Sequence, residues 1–185
     1  TGMRTVTHIE LPPGRYQLRV AAMDPGSQAR GSVHYDLDVP DFTGSPLTMS
    51  GIVLTSSLAA SGGPVVGMRD DDPFSAMPGP PALVREFRAD EELALLAEIY
   101  HNEASKPHKV HITTTLRSDD GREVVRTEDE RESTEIQGAR GGYGYAARVP
   151  LKGLAPGLYV LKVEARSTLG KGPTASREVM VRVAR

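Results

Sequence analysis

The sequence predicts an all-β protein: an immunoglobulin-like β-sandwich of about seven strands over residues 43–185, preceded by a partial three-stranded sandwich remnant over residues 1–42. Three observations predict it. Apolar and polar residues alternate with period two in many separate runs, the mark of half-buried strands. Clusters of Gly, Pro and Asp interrupt those runs. One stretch, a Pro-Gly corner followed by a strand that begins with Tyr, occurs twice.

The repeat sets the architecture. Leu11-Pro12-Pro13-Gly14-Arg15-Tyr16-Gln17-Leu18-Arg19-Val20-Ala21-Ala22 returns as Leu154-Ala155-Pro156-Gly157-Leu158-Tyr159-Val160-Leu161-Lys162-Val163-Glu164-Ala165, 143 residues later. Each copy leads through a polar loop into a second alternating strand, Ser32–Val39 and Arg177–Val183. A spacing of that size excludes a short-period solenoid and fits one hairpin used by two sandwiches. Tyr just after the corner matches the tyrosine corner of immunoglobulin-type sandwiches, in which the phenol bonds back to the backbone. Tyr16, Tyr159, Gly14, Gly157 and Pro156 are therefore expected to be structural residues, and the second hairpin reads as strands F and G.

Working backwards from Tyr159 supplies the other strands. Tyr145, Ala147, Val149 and Leu151 alternate as strand E. Val110, Ile112, Thr114 and Leu116 form strand C, closed by the turn Asp119-Asp120-Gly121. Leu93, Leu95, Ala97 and Ile99 give strand B, although Ala, Leu and Glu in this stretch also favour helix. The β context decides for strand. Residues 49–58 and 82–88 supply A-type strands, and the charged run 123–133 suits a solvated edge strand, because edge charges resist pairing with another chain. Residues 59–81, with Gly62-Gly63-Pro64, Asp70-Asp71-Asp72-Pro73 and Pro78-Gly79-Pro80-Pro81, should form a long Pro/Gly-rich loop. Residues 1–42 offer only an E-like strand at 5–11 and the first hairpin. Their apolar face therefore needs cover, from upstream strands, from within the chain, or from a second copy in a homodimer through residues 1–42.

Composition narrows the functions. With no Cys in the chain there is no disulfide, thiolate nucleophile or sulfur-bound metal. A net charge of −2, no Trp and three Phe speak against a nucleic-acid partner. No run approaches the ~20 apolar residues of a membrane span, and no signal peptide is evident, so the chain reads as a segment whose targeting signal lies upstream.

The segments GSVHYDLDVPDF (31–42), MSGIVLTSS (49–57), REFRADEELALLAEIYHN (85–102) and PLKGLAPGLYVLKVEARS (150–167), with the closing ASREVMVRV, together resemble the C-terminal region of bacterial proteins related to the von Willebrand factor type A domain (VWFA-related proteins). The resemblance implies an upstream type A domain in the parent protein, an extracytoplasmic location and no catalytic role. The Asp-x-Ser-x-Ser metal motif of type A domains is absent, so no metal ligand carries over.

Several constellations bear on chemistry. No Gly-x-Ser-x-Gly elbow is present. Leu169-Gly170-Lys171-Gly172-Pro173 lacks the remainder of a phosphate loop and reads as the F–G turn. His101, His108 and His111, at the end of strand B, in the B–C loop and on the outer face of strand C, are the best metal candidates; their plain reading is exposed side chains around a short loop. The triple Asp lacks the spacing of a calcium loop. Glu128–Glu132 reads as a solvated edge, and His34, Asp36 and Asp38 as the outer face of a strand. Tyr100 and Phe74 are the candidate exposed aromatic platforms.

No metal and no cofactor is assigned. The expectation is a non-enzymatic structural or protein-interaction module. A carbohydrate- or cell-surface-binding module and a metal-dependent hydrolase are the alternatives.

Overall fold

The computed structural model describes residues 3–56, 58, 63–68, 77–102, 106–136 and 144–185. Its strands are β1 (Arg4–Thr5), β2 (Gly14–Met23), β3 (Arg30–Val39), β4 (Leu47–Met49), β5 (Val53–Ser56), β6 (Val65–Val66), β7 (Glu86–Arg88), β8 (Glu92–His101), β9 (Lys109–Ser118), β10 (Glu123–Glu132), β11 (Gly144–Pro150), β12 (Gly157–Ser167) and β13 (Thr174–Ala184), with one helical turn, α1 (Ser133–Ile136). They divide into two compact units, His8–Gly44 on one hand and Thr1–Thr7 with Ser45–Arg185 on the other.

The larger unit is an immunoglobulin-like sandwich. One sheet runs β10-β9-β12-β13-β7, and the other runs β11-β8-β4 with β5 also on β8. This is the C′-C-F-G-A′ against E-B-A order of that fold. Period two fills the space between the sheets: Leu93, Leu95 and Ile99 of β8 and Val149 of β11 join Ile112 and Leu116 of β9, Leu161 and Val163 of β12 and Val181 of β13 in one core, each at most 1% exposed.

Helix-favouring residues form β8 because the strand is central. It pairs with β11 on one side and with β4 and β5 on the other. Ala94 and Leu96, on the face away from the core, are also buried. The run Leu93–Ala97 is thus a strand covered on both faces, and the burial of that surface overrides intrinsic propensity.

The A-type strand is split between the sheets. β4 and β5 run antiparallel to β8, whereas β7 runs parallel to β13 with Val183 opposite Phe87. The charged β10 is the sheet edge, bonded to β9 alone among the described strands, and a bulge between Glu123 and Val125 interrupts its register. Both devices discourage edge-to-edge pairing. Within the Pro/Gly-rich loop, Val65–Val66 form a short ladder that the sequence did not suggest.

The smaller unit is a two-stranded ribbon, β2 antiparallel to β3. Tyr16, Leu18 and Val20 face Leu37, Tyr35 and Val33 in register. The third strand expected beside them over residues 5–11 does not form there. Only Arg4–Thr5 is extended and paired, and it runs parallel to β6. His8, Ile9 and Glu10 are exposed, and Pro12 and Pro13 cannot donate to a ladder.

Candidate functional site

The two tyrosines placed at the corners make the same bond. Tyr159 Oη donates to the Ala155 carbonyl at 2.7 Å, and Tyr16 Oη donates to the Pro12 carbonyl at 2.9 Å, four residues back in each case. Their hairpins share a register as well. Gly14, Tyr16 and Leu18 oppose Val39, Leu37 and Tyr35, while Gly157, Tyr159 and Leu161 oppose Val183, Val181 and Val179. The environments differ: Tyr159 is buried and Tyr16 half-buried.

The corner glycines are not equivalent. Gly14 has φ +155°, and a Cβ there would sit 3.4 Å from Tyr16 Oη. Gly157 adopts a φ open to any residue, and its Cβ would meet nothing closer than the Tyr159 ring at 3.9 Å. Pro156 is exposed. At the second corner neither backbone conformation nor space demands glycine at position 157.

The three candidate metal ligands do not converge. His101 ends β8 opposite Leu47, and His108 lies just ahead of β9; both are 8% exposed, with ring centroids 4.3 Å apart and planes tilted by 54°. This corrects the expectation of solvent-exposed side chains for these two. His101 has the parity of Leu93, Leu95 and Ile99, which sends it inward. His108 is held by its Nδ1–H donating to the Lys106 carbonyl at 2.8 Å, by its backbone N–H donating to Ser133 Oγ at 3.2 Å, and by its carbonyl accepting from the Ser133 N–H at 2.8 Å. A carbonyl can only accept, so Nδ1 carries the proton of that bond; His108 Nε2 is buried without a hydrogen-bond partner among the described residues.

His111 belongs elsewhere. It alternates with the buried Val110 and Ile112, so it points to the outer surface, where its Nδ1 lies 3.4 Å from Glu130 Oε2. Lys109 bonds the same carboxylate, and this holds Glu130 below the usual carboxylate range. Among the described residues no group of three His, Cys, Asp or Glu is placed to hold a metal ion.

The remaining candidates resolve locally. Tyr100 is half-buried, not an open platform; its hydroxyl bonds the Glu98 carboxylate, and burial followed by that contact pushes the phenol well above its ordinary range. Phe74 and Asp70-Asp71-Asp72 lie outside the described residues. Asp129 pairs with Arg131 and Glu128 with Arg126, as expected of a solvated edge.

One surface feature was missed by sequence reasoning. An open groove of about 640 Å³ crosses the outer face of the five-stranded sheet beside the β12–β13 turn, lined among others by His111, Glu128, Asp129, Arg166 and Lys171. The two acids are already neutralised by arginines of their own strand. The Gly170–Gly172 turn closes on itself through the Gly172 N–H to the Leu169 carbonyl, 3.1 Å, and joins two strands. It therefore lacks the helix a phosphate loop would open. Strand pairing assembles this groove, β12 on β9 with Arg166 opposite His111 and β10 on β9 with Glu128 opposite Thr113, and no sequence motif signals it.

No family model matches the chain, and no curated protein matches it. Among solved structures it is similar to the β-glucuronidase of Bacteroides uniformis, with a TM-score of 0.44 and 13% identity over 74% of this chain and 14% of that one. It is also similar to dimeric latent PorU from Porphyromonas gingivalis, with a TM-score of 0.39 and 14% identity over 94% of this chain and 12% of that one. The chain thus spans about one seventh of the first protein and one eighth of the second.

Proposed function

We propose that the chain is a non-catalytic structural and protein-interaction module of an exported bacterial VWFA-related protein, working beside an upstream domain. The observation that supports this best is the hairpin used twice, in the same register and with the same phenol-to-carbonyl tether. We read both tethers as tyrosine corners. A chain that repeats the closing hairpin of a sandwich is built as sandwiches in series, an arrangement suited to spacing and presenting a neighbouring domain; this step rests on fold-level analogy. The groove beside the β12–β13 turn, with Arg166 and Lys171 on its rim, offers a surface to a protein partner.

Fractionation of cells that make the parent protein tests the reading. An antibody to residues 45–185 should find it in the periplasm, at the surface or in the medium, and recovery from the cytoplasm would overturn export. Purified protein should turn over chromogenic esters and glycosides no faster than buffer. Turnover abolished by His111→Ala would restore the hydrolase alternative.

A further inference from the structure

We propose that β2 and β3 are the last two strands of a second immunoglobulin-like sandwich, and that their apolar face and the free edge of β2 are covered by that sandwich's earlier strands, supplied by the same polypeptide on the N-terminal side of the hairpin. The proposal rests on the module reading above and names what the first hairpin docks against.

The chain contains its own template. Gly14, Tyr16, Leu18, Val20 and Ala22 repeat as Gly157, Tyr159, Leu161, Val163 and Ala165, residue for residue along the inward face. In the second copy Leu161, Val163 and Ala165 are 0% exposed, because the sheet of β8 and β11 lies across them. In the first copy Val20 is 50% exposed, and Val33 and Tyr35 are each 63% exposed. The same contrast holds at the edge. β12 pairs with β9 from Tyr159 to Ser167 on the side away from β13, whereas β2 pairs only with β3 among the described strands. An open apolar face beside an open edge is a surface that soluble proteins rarely leave bare.

Area decides between occupants. A ribbon of two ten-residue strands has a footprint of roughly 34 by 10 Å, about 350 Å², at ~3.4 Å rise per residue and ~4.8 Å between strands. Two copies stacked face to face would cover about 700 Å², short of the ~1,000 Å² a specific interface needs. They would also leave both edges of each ribbon unpaired. A B–E sheet with a C-type strand satisfies face and edge together, as β8, β11 and β9 do for β12. In sandwich order those strands precede F and G, which puts them N-terminal to the hairpin.

Hydrogen exchange tests this on residues 1–185 and on the natural polypeptide extended by about 100 residues toward the N-terminus, the size of one such sandwich. Amides of β2 and β3 should exchange about 100-fold or more slowly in the longer polypeptide, approaching those of β12 and β13, which serve as the internal reference. Val33→Glu, on the apolar face, should reverse that protection, whereas Arg19→Glu, on the opposite face, should not.

Equal exchange in both polypeptides, or the absence of such an N-terminal segment, overturns the proposal. So does protection in residues 1–185 that rises with protein concentration, which would assign the face to a second copy. None of these readouts depends on export or catalysis. A failed fractionation experiment and a failed docking proposal are therefore told apart.

Discussion

A phenol at 5% exposure cannot leave its hydroxyl unbonded, and the Ala155 carbonyl is what Tyr159 finds. Tyr159→Phe keeps the ring in the core and removes one hydrogen bond. It should lower the unfolding free energy of the sandwich by about 0.5–1.5 kcal/mol, the net value of such a bond. An unchanged denaturation midpoint would mean that the corner is held by packing alone. The histidines invite a second test at this scale. His101 and His108 share a buried position, while His111 lies on the outer face of the next strand, so a three-imidazole zinc site has no geometry to occupy. Chelator-free protein is expected to contain no stoichiometric zinc by elemental analysis, and about one zinc per chain, lost in His111→Ala, would refute that. The tether was legible because its bond is local, four residues in sequence. The histidine pair was not, since a B–C connection can fold back or splay out, and only the bonds of His108 to Lys106 and Ser133 choose.

Strands were legible wherever burial is one-sided. Alternation in β9, β11, β12 and β13 assigns the inward residues directly, and Val110, Ile112, Val149, Leu161 and Val181 occupy the core accordingly. Pairing was less legible, because it depends on which edges are open. Two A-type segments were legible, but neither their allotment to different sheets as β4, β5 and β7 nor the β1–β6 ladder follows from period two. Equivalent positions of the two hairpins turn this into a measurable contrast. Leu161→Ala, at a site with no solvent access, should cost about 2–5 kcal/mol through lost burial and the cavity left behind. Val20→Ala, at a half-exposed site, should change the stability of residues 1–185 by no more than about 0.5 kcal/mol. Chemical denaturation followed by circular dichroism reads both, and similar losses would show that the first hairpin is already packed.

At the scale of the molecule, the repeat announced two sandwich-like units, but it could not show what covers the first. The charges tell more about both units together. Asp24 and Asp41 in the smaller unit accept hydrogen bonds from Ser27 and Thr43, and Asp120 in the larger accepts from Ser118 and the Arg122 N–H. The largest cause that lowers each of these carboxyls is a serine or threonine hydroxyl, with backbone N–H groups next among the lowering causes. Asp90 and Glu130 are lowered mainly by Arg88 and Lys109. A carboxyl depressed on folding stabilises the folded state above its unfolded value, and that contribution disappears as pH falls through the depressed value. The midpoint of urea unfolding should therefore fall as pH drops below about 4, the ordinary carboxylate value. Salt separates the two causes. At 1 M the screening length is only about 3 Å, so the exposed Arg88–Asp90 and Lys109–Glu130 pairs weaken, whereas bonds from neutral hydroxyl and amide donors persist. The acid-induced fall should survive 1 M salt, and should shrink when Asp120→Asn replaces the carboxylate of the β9–β10 turn. A fall that salt abolishes would make the cation pairs, and not the turn hydroxyls, the source of the acid sensitivity.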